Sequence, residues 1–313
     1  MIFILTVLSG GTGTPKLLQG LIEVVPQEEI SVIVNTGEDV HVSGLRVSPD
    51  LDTVVYTLAG LIDDQKWYGI EEDTFHTHDM LKDLGHEEIL RIGDRDRSVK
   101  LYRTFRMREG ATLSQVTKEI CTGLGVQSEV LPMSDDRVTT RVFTDKGEMT
   151  FHEYWVERGA EDEVRDVKFM NHESADPAPG VLESLNDSES IIIGPSNPIT
   201  SVGPILAIDE TRSALERNRE KVIAVSPVLG DAPVSGPTGD LMRGLGHEVS
   251  PTGVANIYKD FVGLFMLNEG DEDFATEIKD LGMEVSLADI LIPDLSSRIS
   301  LAEEILEVID YNY

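Results

Sequence analysis

Short, mainly apolar runs alternate with helical patterns along most of the sequence. Residues 2–8 and residues 30–35 are runs of the kind found in strands that are buried on both faces of a sheet. Between them, apolar residues at helical spacing from Leu17 to Ile22 predict an amphipathic helix. A strand, a helix and a second strand at this spacing form a βαβ unit, so we predict parallel strands joined by a right-handed crossover.

The same alternation continues towards the C-terminus. Further strands are predicted at residues 89–93, 190–194, 222–225 and 263–267. Helices are predicted at residues 48–61, 71–85, 97–108, 111–125, 210–219, 240–244, 253–261, 274–281 and 296–309. This order predicts the α/β class, with a Rossmann-like, doubly wound and mostly parallel sheet.

One region departs from the parallel pattern. Residues 137–143 and 148–155 alternate polar and apolar positions around the turn Asp145-Lys146-Gly147, which predicts a β-hairpin. A further strand is predicted at residues 164–169. Antiparallel strands do not belong to a doubly wound core, so we assign residues 101–187 to an inserted helical and hairpin region. Residues 1–100 and 188–313 then form the nucleotide-binding core.

A glycine-rich turn follows the first predicted strand and contains Gly10, Gly11, Thr12 and Gly13. Three glycines predict positive φ angles and close approach of a ligand to the backbone. Pro15 suits the first turn of the helix that follows, because its missing N–H costs nothing there. Free N–H groups and the positive end of the helix dipole then point at one place, which favours phosphate binding.

Lys16 distinguishes this turn from two better-known phosphate loops. It is neither preceded by Gly nor followed by Ser or Thr, so the turn is not a Walker A loop. It also occupies the place of the third glycine in the dinucleotide fingerprint. A glycine-rich turn that only closes the fold is therefore the alternative to phosphate binding.

Polar residues also lie at or beyond the ends of three later predicted strands. Ligands of open parallel sheets bind at the carboxyl ends of the strands, so we expect these residues to lie beside the glycine turn. Their hydroxyl, amide and bare backbone groups can recognise a phosphate or a base edge, whereas an ordinary proline-rich connection is the alternative. They are Asn35, Thr36, Asp39, Gly194, Ser196, Asn197, Thr200, Ser201, Ser226 and Pro227.

Two pairs of aspartates are separated by one residue, Asp50 with Asp52 and Asp94 with Asp96. Adjacent carboxylates are costly unless a cation or a proton lies between them, and carboxylates bind Mg²⁺ with substrate phosphates completing the shell. We therefore predict that Asp50, Asp94 and Asp96 are catalytic and bind Mg²⁺. Helix capping is the alternative for Asp50 and Asp94.

The composition restricts the partners of the protein. The 313 residues contain 57 acidic and 26 basic side chains, a formal net charge of −31. Such a surface repels nucleic acid and anionic lipid, so we expect no nucleic-acid or membrane partner, although most of this acidity also fits a salt-adapted, soluble surface. Cys121 is the only cysteine, which excludes an intramolecular disulfide. The N-terminus lacks a basic leader, so we expect a cytoplasmic protein.

Six segments, in order over nearly the whole chain, carry a resemblance to a known family. They are LSGGTGTPKLLQGL (8–21), VNTGEDV (34–40), SPDLDTVVYTLAG (48–60), RIGDRD (91–96), IIIGPSNPITSVGPIL (191–206) and SGPTGDLMRGLG (235–246). Together they are far more specific than any single glycine motif. The sequence closely resembles the CofD family, and in particular the archaeal 2-phospho-L-lactate transferases of coenzyme F420 biosynthesis.

The resemblance implies a Mg²⁺-dependent transfer reaction. The donor would be a guanosine diphosphate ester of lactate or of enolpyruvate, and the acceptor the deazaflavin Fo. The terminal ribityl hydroxyl of Fo would attack the β-phosphorus and GMP would leave, giving F420-0 or its dehydro form. The resemblance also suggests a homodimer.

The resemblance further implies roles for the candidate residues. The glycine turn and Lys16 would face the diphosphate, and residues 194–201 with Ser226 and Pro227 would hold the guanosine. Asp50, with Asp94 or Asp96, would bind Mg²⁺ or orient the acceptor hydroxyl. The acceptor side would include Asp50, Asp52, Arg91 and Arg95. The region of Tyr56 and Trp67 would contact the deazaflavin ring, with core packing the favoured alternative for Tyr56.

Two alternatives come from other functional classes. One is a non-catalytic regulatory protein of the same fold that binds a nucleotide-sugar. It would keep the glycine loops but would need neither the aspartate pairs nor an acceptor pocket. The other is a nicotinamide-dependent dehydrogenase, which the incomplete dinucleotide fingerprint disfavours.

Overall fold

The computed structural model describes residues 5–234 and 236–309 of the chain. Its strands are β1 (Leu5–Ser9), β2 (Ile30–Val34), β3 (Val40–Val42), β4 (Leu45–Val47), β5 (Glu129–Pro132), β6 (Thr139–Thr144), β7 (Gly147–Thr150), β8 (Val164–Met170), β9 (Ser190–Ile193), β10 (Val222–Val225), β11 (Val228–Leu229), β12 (Ala232–Pro233), β13 (Leu264–Asn268) and β14 (Glu284–Ala288). Its helices are α1 (Gly13–Val24), α2 (Pro49–Leu58), α3 (His76–Asp83), α4 (Asp94–Arg108), α5 (Leu113–Leu124), α6 (Val181–Asp187), α7 (Gly203–Leu206), α8 (Asp209–Arg217), α9 (Thr238–Gly244), α10 (Pro251–Tyr258), α11 (Ala275–Asp280) and α12 (Leu295–Val308).

A seven-stranded parallel sheet forms the centre of the described structure. Its strand order is β14-β13-β10-β9-β1-β2-β5. In β1, Leu8 pairs with Ile33 of β2 on one side and with Ile193 of β9 on the other. The chain runs outward from β1 in one direction through β2 and β5, and in the other through β9, β10, β13 and β14. The order therefore reverses between β1 and β9, which is where open α/β sheets bind ligands.

Apolar layers cover both faces of the large sheet. Successive residues of a strand point to opposite faces, so Ile191 and Ile193 belong to one apolar cluster and Ile192 to the other. A parallel sheet is stable only when helices cover both faces, which is why its strands are predominantly apolar. The predicted Rossmann-like α/β fold is confirmed.

The large sheet differs from the prediction at three strands, one of which is the edge strand β14 (Glu284–Ala288), which was not predicted. Residues 89–93 were predicted as a strand and are not one; Ile92 packs with Val42 and Val47 in a small separate cluster beneath the β3–β4 hairpin. The hairpin thus packs against the apolar side chains of residues 89–93, which have no place in the sheet. Periodicity alone cannot distinguish such a segment from a strand. Conversely, β5 was not predicted and pairs with β2 at the edge of the sheet. It lies within residues 101–187, so the predicted insertion contributes one strand to the central sheet.

A separate three-stranded antiparallel sheet, in the order β7-β6-β8, confirms the predicted hairpin and the strand after it. The second hairpin strand, predicted at 148–155, ends at Thr150, and Glu153–Glu157 form a π-helical turn instead. The small sheet is joined to the end of β2, since Thr140 N donates to the Gly37 carbonyl at 2.8 Å. It also packs against α9, where an added Cβ on Gly244 would lie 2.6 Å from Val164. This small sheet therefore connects the loop after β2 with α9, which follows β10 and the short β11–β12 pair.

Other predicted elements form close to their predicted bounds, while residues 2–4 of the first predicted strand and Ser235 lie outside the described residues. The helix predicted at 71–85 is shorter and begins at His76. Within the described residues, no helix is long and apolar enough to cross a bilayer.

Candidate active site

A cleft opens at the carboxyl end of the large sheet, at the point where the strand order reverses. Its empty volume, which includes space open to solvent, is about 590 Å³. Loops that follow β1, β2, β9 and β10 contribute to it, together with the start of α9 and the segment after β7. The lining residues are Gly11, Thr12, Gly13, Glu38, Asp50, Phe151, Trp155, Pro195, Ser196, Asn197, Thr200, Ser201, Pro227, Gly236, Pro237 and Thr238.

The glycine turn is glycine-rich because protein atoms crowd it. The predicted positive φ angles are wrong, since none of the three glycines has φ in the left-handed region. An added Cβ would instead overlap Ser201 at Gly10, the Asp50 carboxylate at Gly11 and the Pro195 carbonyl at Gly13. The close approach was predicted for a ligand, but the structure shows the loop after β9 and α2 pressing against the turn.

Two hydroxyls join the first helix to the loop after β9. Thr14 N donates to Ser196 Oγ at 3.2 Å, and the two side-chain oxygens of Thr14 and Ser196 are 2.7 Å apart. An added Cβ on Gly194 would overlap the Thr14 side chain. The start of α1 and residues 194–196 are thus held as one unit at the base of the cleft.

The loop after β9 is shaped by its own asparagine. Asn197 Oδ1 accepts hydrogen bonds from Ile199 N at 2.9 Å and Thr200 N at 3.3 Å. Ser226, predicted beside the guanosine, is fully buried and donates to the Val228 carbonyl at 2.7 Å, whereas Pro227 reaches the cleft. Asn197, which was predicted to bind a ligand, therefore also shapes its own loop through these two hydrogen bonds. Ser226 lies behind the residues that line the cleft.

Two carboxyl groups, Glu38 and Asp50, face the cleft together. Burial raises the pKa of Asp50 to about 7, while a hydrogen bond from Asn35 opposes the rise and the Asp39 charge adds to it. Burial, and then the charge of Asp50, raise the pKa of Glu38 well above its ordinary value. Glu38 Oε1 is buried without a hydrogen-bond partner. Such a pair holds a proton or a cation between its members.

Asp39 and Thr36 lie near this pair but have other surroundings. Asp39 accepts hydrogen bonds from Arg46 at 2.8 Å and from Ser48 at 2.7 Å, so it fastens the β3–β4 hairpin to the start of α2. Thr36 is buried and its hydroxyl has no hydrogen-bond partner. Neither side chain is among those that line the cleft.

The other predicted aspartates are engaged away from the cleft. Asp52 is paired in the interior with Arg103 and, at 2.9 Å, with Lys100. Asp96 is paired with the same Lys100 and accepts a hydrogen bond from Tyr56 Oη at 2.7 Å. Asp52 of α2 and Asp96 of α4 therefore form a buried ionic network with Lys100 and Arg103 of α4.

Asp94, at the start of α4, caps the N-terminus of α3, and Asp73, which precedes α3, caps the N-terminus of α4. Asp94 accepts hydrogen bonds from the backbone N–H groups of His76 and Thr77 at the start of α3, and Asp73 accepts from those of Arg95 and Asp96 at the start of α4. These bonds, with the Thr74 hydroxyl, hold the pKa of Asp94 well below its ordinary value. The described residues contain no group of three or more His, Cys, Asp or Glu that could hold a metal ion. In the structure Asp94 therefore acts as a helix cap, which was the alternative to its predicted role in Mg²⁺ binding.

The predicted cations also lie outside the cleft. Lys16 Nζ is 5.4 Å from the centre of the Trp67 ring, and burial together with the Arg298 charge lowers its pKa. Arg91 stacks on Phe75 at 4.0 Å, and Arg95 donates to the Glu71 carbonyl at 3.2 Å. Among the described residues that line the cleft, none is Lys or Arg.

Comparison with known proteins identifies the family. The family model described as "2-phospho-L-lactate transferase CofD" matches residues 5–290. The chain belongs to the CofD family. Membership places it among transferases, in agreement with the resemblance seen in the sequence.

Individual CofD relatives match over their full length. The proteins named 2-phospho-L-lactate transferase from Methanocaldococcus jannaschii and Methanopyrus kandleri are 46% and 49% identical to this chain; each match covers 98% of this chain, and 98% and 97% of the relative. A solved structure of a UPF0052 family member from Bacillus halodurans, 18% identical, has a TM-score of 0.66 and covers 98% of this chain and 99% of that chain. This structure is similar in fold.

The CofD cleft is also lined by side chains that were not among the predicted site residues, namely Glu38, Phe151, Trp155, Pro237 and Thr238. Glu38 had only its position beside Asp39 as a signal. Phe151 and Trp155 follow the hairpin strand β7 and approach the cleft because the small sheet lies against the loop after β2. Trp67, whose region was predicted to contact the acceptor ring, is instead buried in the apolar core, and Tyr56 lies in the same core, as its core-packing alternative predicted.

Proposed function

We propose that this protein transfers a 2-phospho-L-lactate or enolpyruvyl phosphate group from its guanosine diphosphate ester to the ribityl hydroxyl of the deazaflavin Fo. The products would be F420-0, or its dehydro form, and GMP. The observation that carries the proposal is the single cleft that gathers the glycine turn, the polar loop after β9 and the Glu38–Asp50 pair. The glycine turn would bind the diphosphate, the loop after β9 would bind the nucleoside, and the Glu38–Asp50 pair would act on the attacking hydroxyl.

The diphosphate side of this cleft would rely on backbone groups. The residues from Gly11 to Gly13 line the cleft where α1 begins, and N–H groups at the start of a helix attract anions. Since no described lining residue is basic, backbone N–H groups and neutral side chains such as Thr12, Ser196 and Ser201 would face a diphosphate and two carboxyl groups. A bound divalent cation would remove this excess of negative charge.

The Glu38–Asp50 pair fits Mg²⁺. The unpaired, buried Oε1 of Glu38 is an oxygen of the type that Mg²⁺ prefers, and Mg²⁺ is commonly bound by one or two carboxylates with substrate phosphates. We therefore place the proposed Mg²⁺ at Glu38 and Asp50, and no longer at Asp94 or Asp96. When bound, the ion would offset negative charge on the phosphate groups.

The residues of the chain would orient and deprotonate the acceptor. The hydroxyl oxygen of Fo would form the new bond to the β-phosphorus, and the bond from that phosphorus to the GMP oxygen would break. The Asp50 carboxylate would accept the hydroxyl proton, because it faces the glycine turn where the diphosphate would lie. Asn35 would hold that carboxylate in place through its hydrogen bond.

The direct test is a reaction of purified protein with Fo, the guanylylated lactate and Mg²⁺. We expect GMP and F420-0 to form together, and neither to form without Fo. A parallel reaction with the enolpyruvyl donor would identify the preferred donor. Binding of the nucleotide without release of GMP would contradict the proposal and favour a regulatory nucleotide-binding protein.

A further inference from the structure

We propose that the indole of Trp155 is the surface on which a planar heteroaromatic ring of a substrate stacks. The identity of this ring rests on the proposed function. Both proposed substrates carry a suitable ring, namely guanine in the donor and the deazaflavin in the acceptor. Nothing in the family description or the named relatives assigns a role to this residue.

Trp155 is exposed, whereas Tyr154 and His152 before it are buried; Val156, which follows it, is exposed as well. The relative exposure of Trp155 is 42%, whereas Tyr154 is 0% and His152 is 7% exposed. Tryptophan is highly buried on average, because its large apolar surface gains from leaving water. Here the exposed indole shares the cleft with Glu38 and Asp50.

The backbone fixes this exposure. Trp155 lies in a single π-helical turn, Glu153–Glu157, closed by the bond from Arg158 N to the Glu153 carbonyl at 3.0 Å. The five-residue spacing of a π turn changes the direction in which side chains point relative to an α-helix. His152 Nε2 lies 2.7 Å from the Glu38 carbonyl oxygen, which ties the turn to the loop that carries Glu38.

The rest of the cleft lacks an alternative platform of this kind. Phe151, half-buried, is the other aromatic side chain among the described lining residues, and hydroxyl, amide, proline and glycine groups make up most of the remainder. Trp67, the other tryptophan of the chain, already contacts two cations. Lys16 Nζ lies 5.4 Å and Arg298 Cζ lies 4.7 Å from the centre of its ring. Stacking on an exposed aromatic ring is tolerant of ring identity, so Trp155 suits either heterocycle.

The test measures ligand binding by titration calorimetry for wild type, Trp155→Ala and Trp155→Phe. The three ligands are GDP alone, Fo alone and inorganic pyrophosphate, which has no ring. We expect W155A to lose about tenfold or more in affinity for GDP or for Fo and to change less than about twofold for pyrophosphate. W155F, which keeps a ring, should recover most of the lost affinity.

A control variant removes an exposed aromatic elsewhere. Phe105 on α4 is 57% exposed and does not line the cleft, so Phe105→Ala should leave all three affinities unchanged. A loss for GDP alone assigns the stacked ring to guanine, and a loss for Fo alone assigns it to the deazaflavin. Wild-type-like binding of both by W155A would overturn the inference while leaving the transferase proposal intact. Failure of wild type to bind either would overturn both.

Discussion

Asn35 holds Asp50 in place. Its Nδ2 donates to Asp50 Oδ2 at 2.9 Å and to the Thr200 carbonyl at 3.1 Å, and its Oδ1 accepts from Gly37 N at 2.8 Å. One buried amide thus joins the end of β2, the first turn of α2 and the loop after β9. Asn35 was predicted to bind ligand, and the structure instead makes it a positioning residue for the carboxylate.

Replacement of Asn35 by Ala should therefore impair turnover more than binding. A hydrogen bond to a charged group contributes about 1.5–3 kcal/mol, so we expect kcat to fall by about 10- to 100-fold. The affinity for GDP should change by less than about threefold. Steady-state kinetics and calorimetry on the same preparation separate the two effects, and an equal loss in both would argue against a positioning role.

Replacement of Asp50 by Asn should abolish transfer with the fold intact. Loss of a general base typically costs about 10²- to 10⁴-fold in rate, and GMP release under saturating substrates measures it. Asp94→Ala is the matched control: loss of a helix cap should cost about 1 kcal/mol of stability and leave turnover near wild type. Near-normal turnover of D50N would remove Asp50 from the mechanism, and an inactive but stable D94A would return Asp94 to it.

Replacement of Gly11 by Ala should disable the cleft through a steric effect. The new Cβ would overlap the Asp50 carboxylate, so the turn or the carboxylate must move, and we expect kcat/KM to fall at least about tenfold. Gly123→Ala in α5 meets open space and has no unusual φ. It should keep full activity and gain up to about 1 kcal/mol in unfolding free energy. Equal activity of the two variants would contradict this account of the turn.

Replacement of Asp52 by Ala should destabilise the protein strongly. It would leave Arg103 buried without its carboxylate partner and would remove one of the two partners of Lys100, and breaking a buried pair costs about 3–5 kcal/mol. Glu216→Ala removes an exposed partner of Arg212 and should cost about 1 kcal/mol or less. Urea denaturation of the two variants compares them directly. A small effect of D52A would mean that the network contributes little to stability.

Glu88 should make stability depend on acid pH. Burial tends to raise its pKa, but hydrogen bonds from Arg97, Ser43 and His78 outweigh burial and lower the pKa to about 2. A carboxyl with a depressed folded-state pKa stabilises the fold above its unfolded pKa, near 4.5, and that contribution is lost as pH falls towards 2. Glu88→Gln should be less stable than wild type at pH 7.

The difference between Glu88→Gln and wild type should shrink between about pH 4.5 and pH 2. Denaturant unfolding of both proteins at pH 7, 4 and 2.5 provides the measurement. A difference that stays constant over this range would show that the carboxylate charge is not what stabilises the contact with Arg97.

The sequence by itself determined the elements that depend on near neighbours. Mainly apolar runs identified β1, β2, β9, β10 and β13, since a strand buried on both faces has few polar positions. Glycines followed by Pro15 located the start of α1, and Asp50 was predicted from its pairing with Asp52 at a spacing of two residues. These signals are local, so they survive without knowledge of the rest of the chain.

Only the tertiary structure decided which polar groups reach the cleft. Asp52 and Asp96 look like Asp50 in sequence, yet Lys100 and Arg103 of α4 neutralise them in the interior. Glu38 and Trp155 reach the cleft because the loop after β2 and the small sheet are joined there. The environment of a charge or an indole depends on residues distant in the chain, and folding alone brings those residues together.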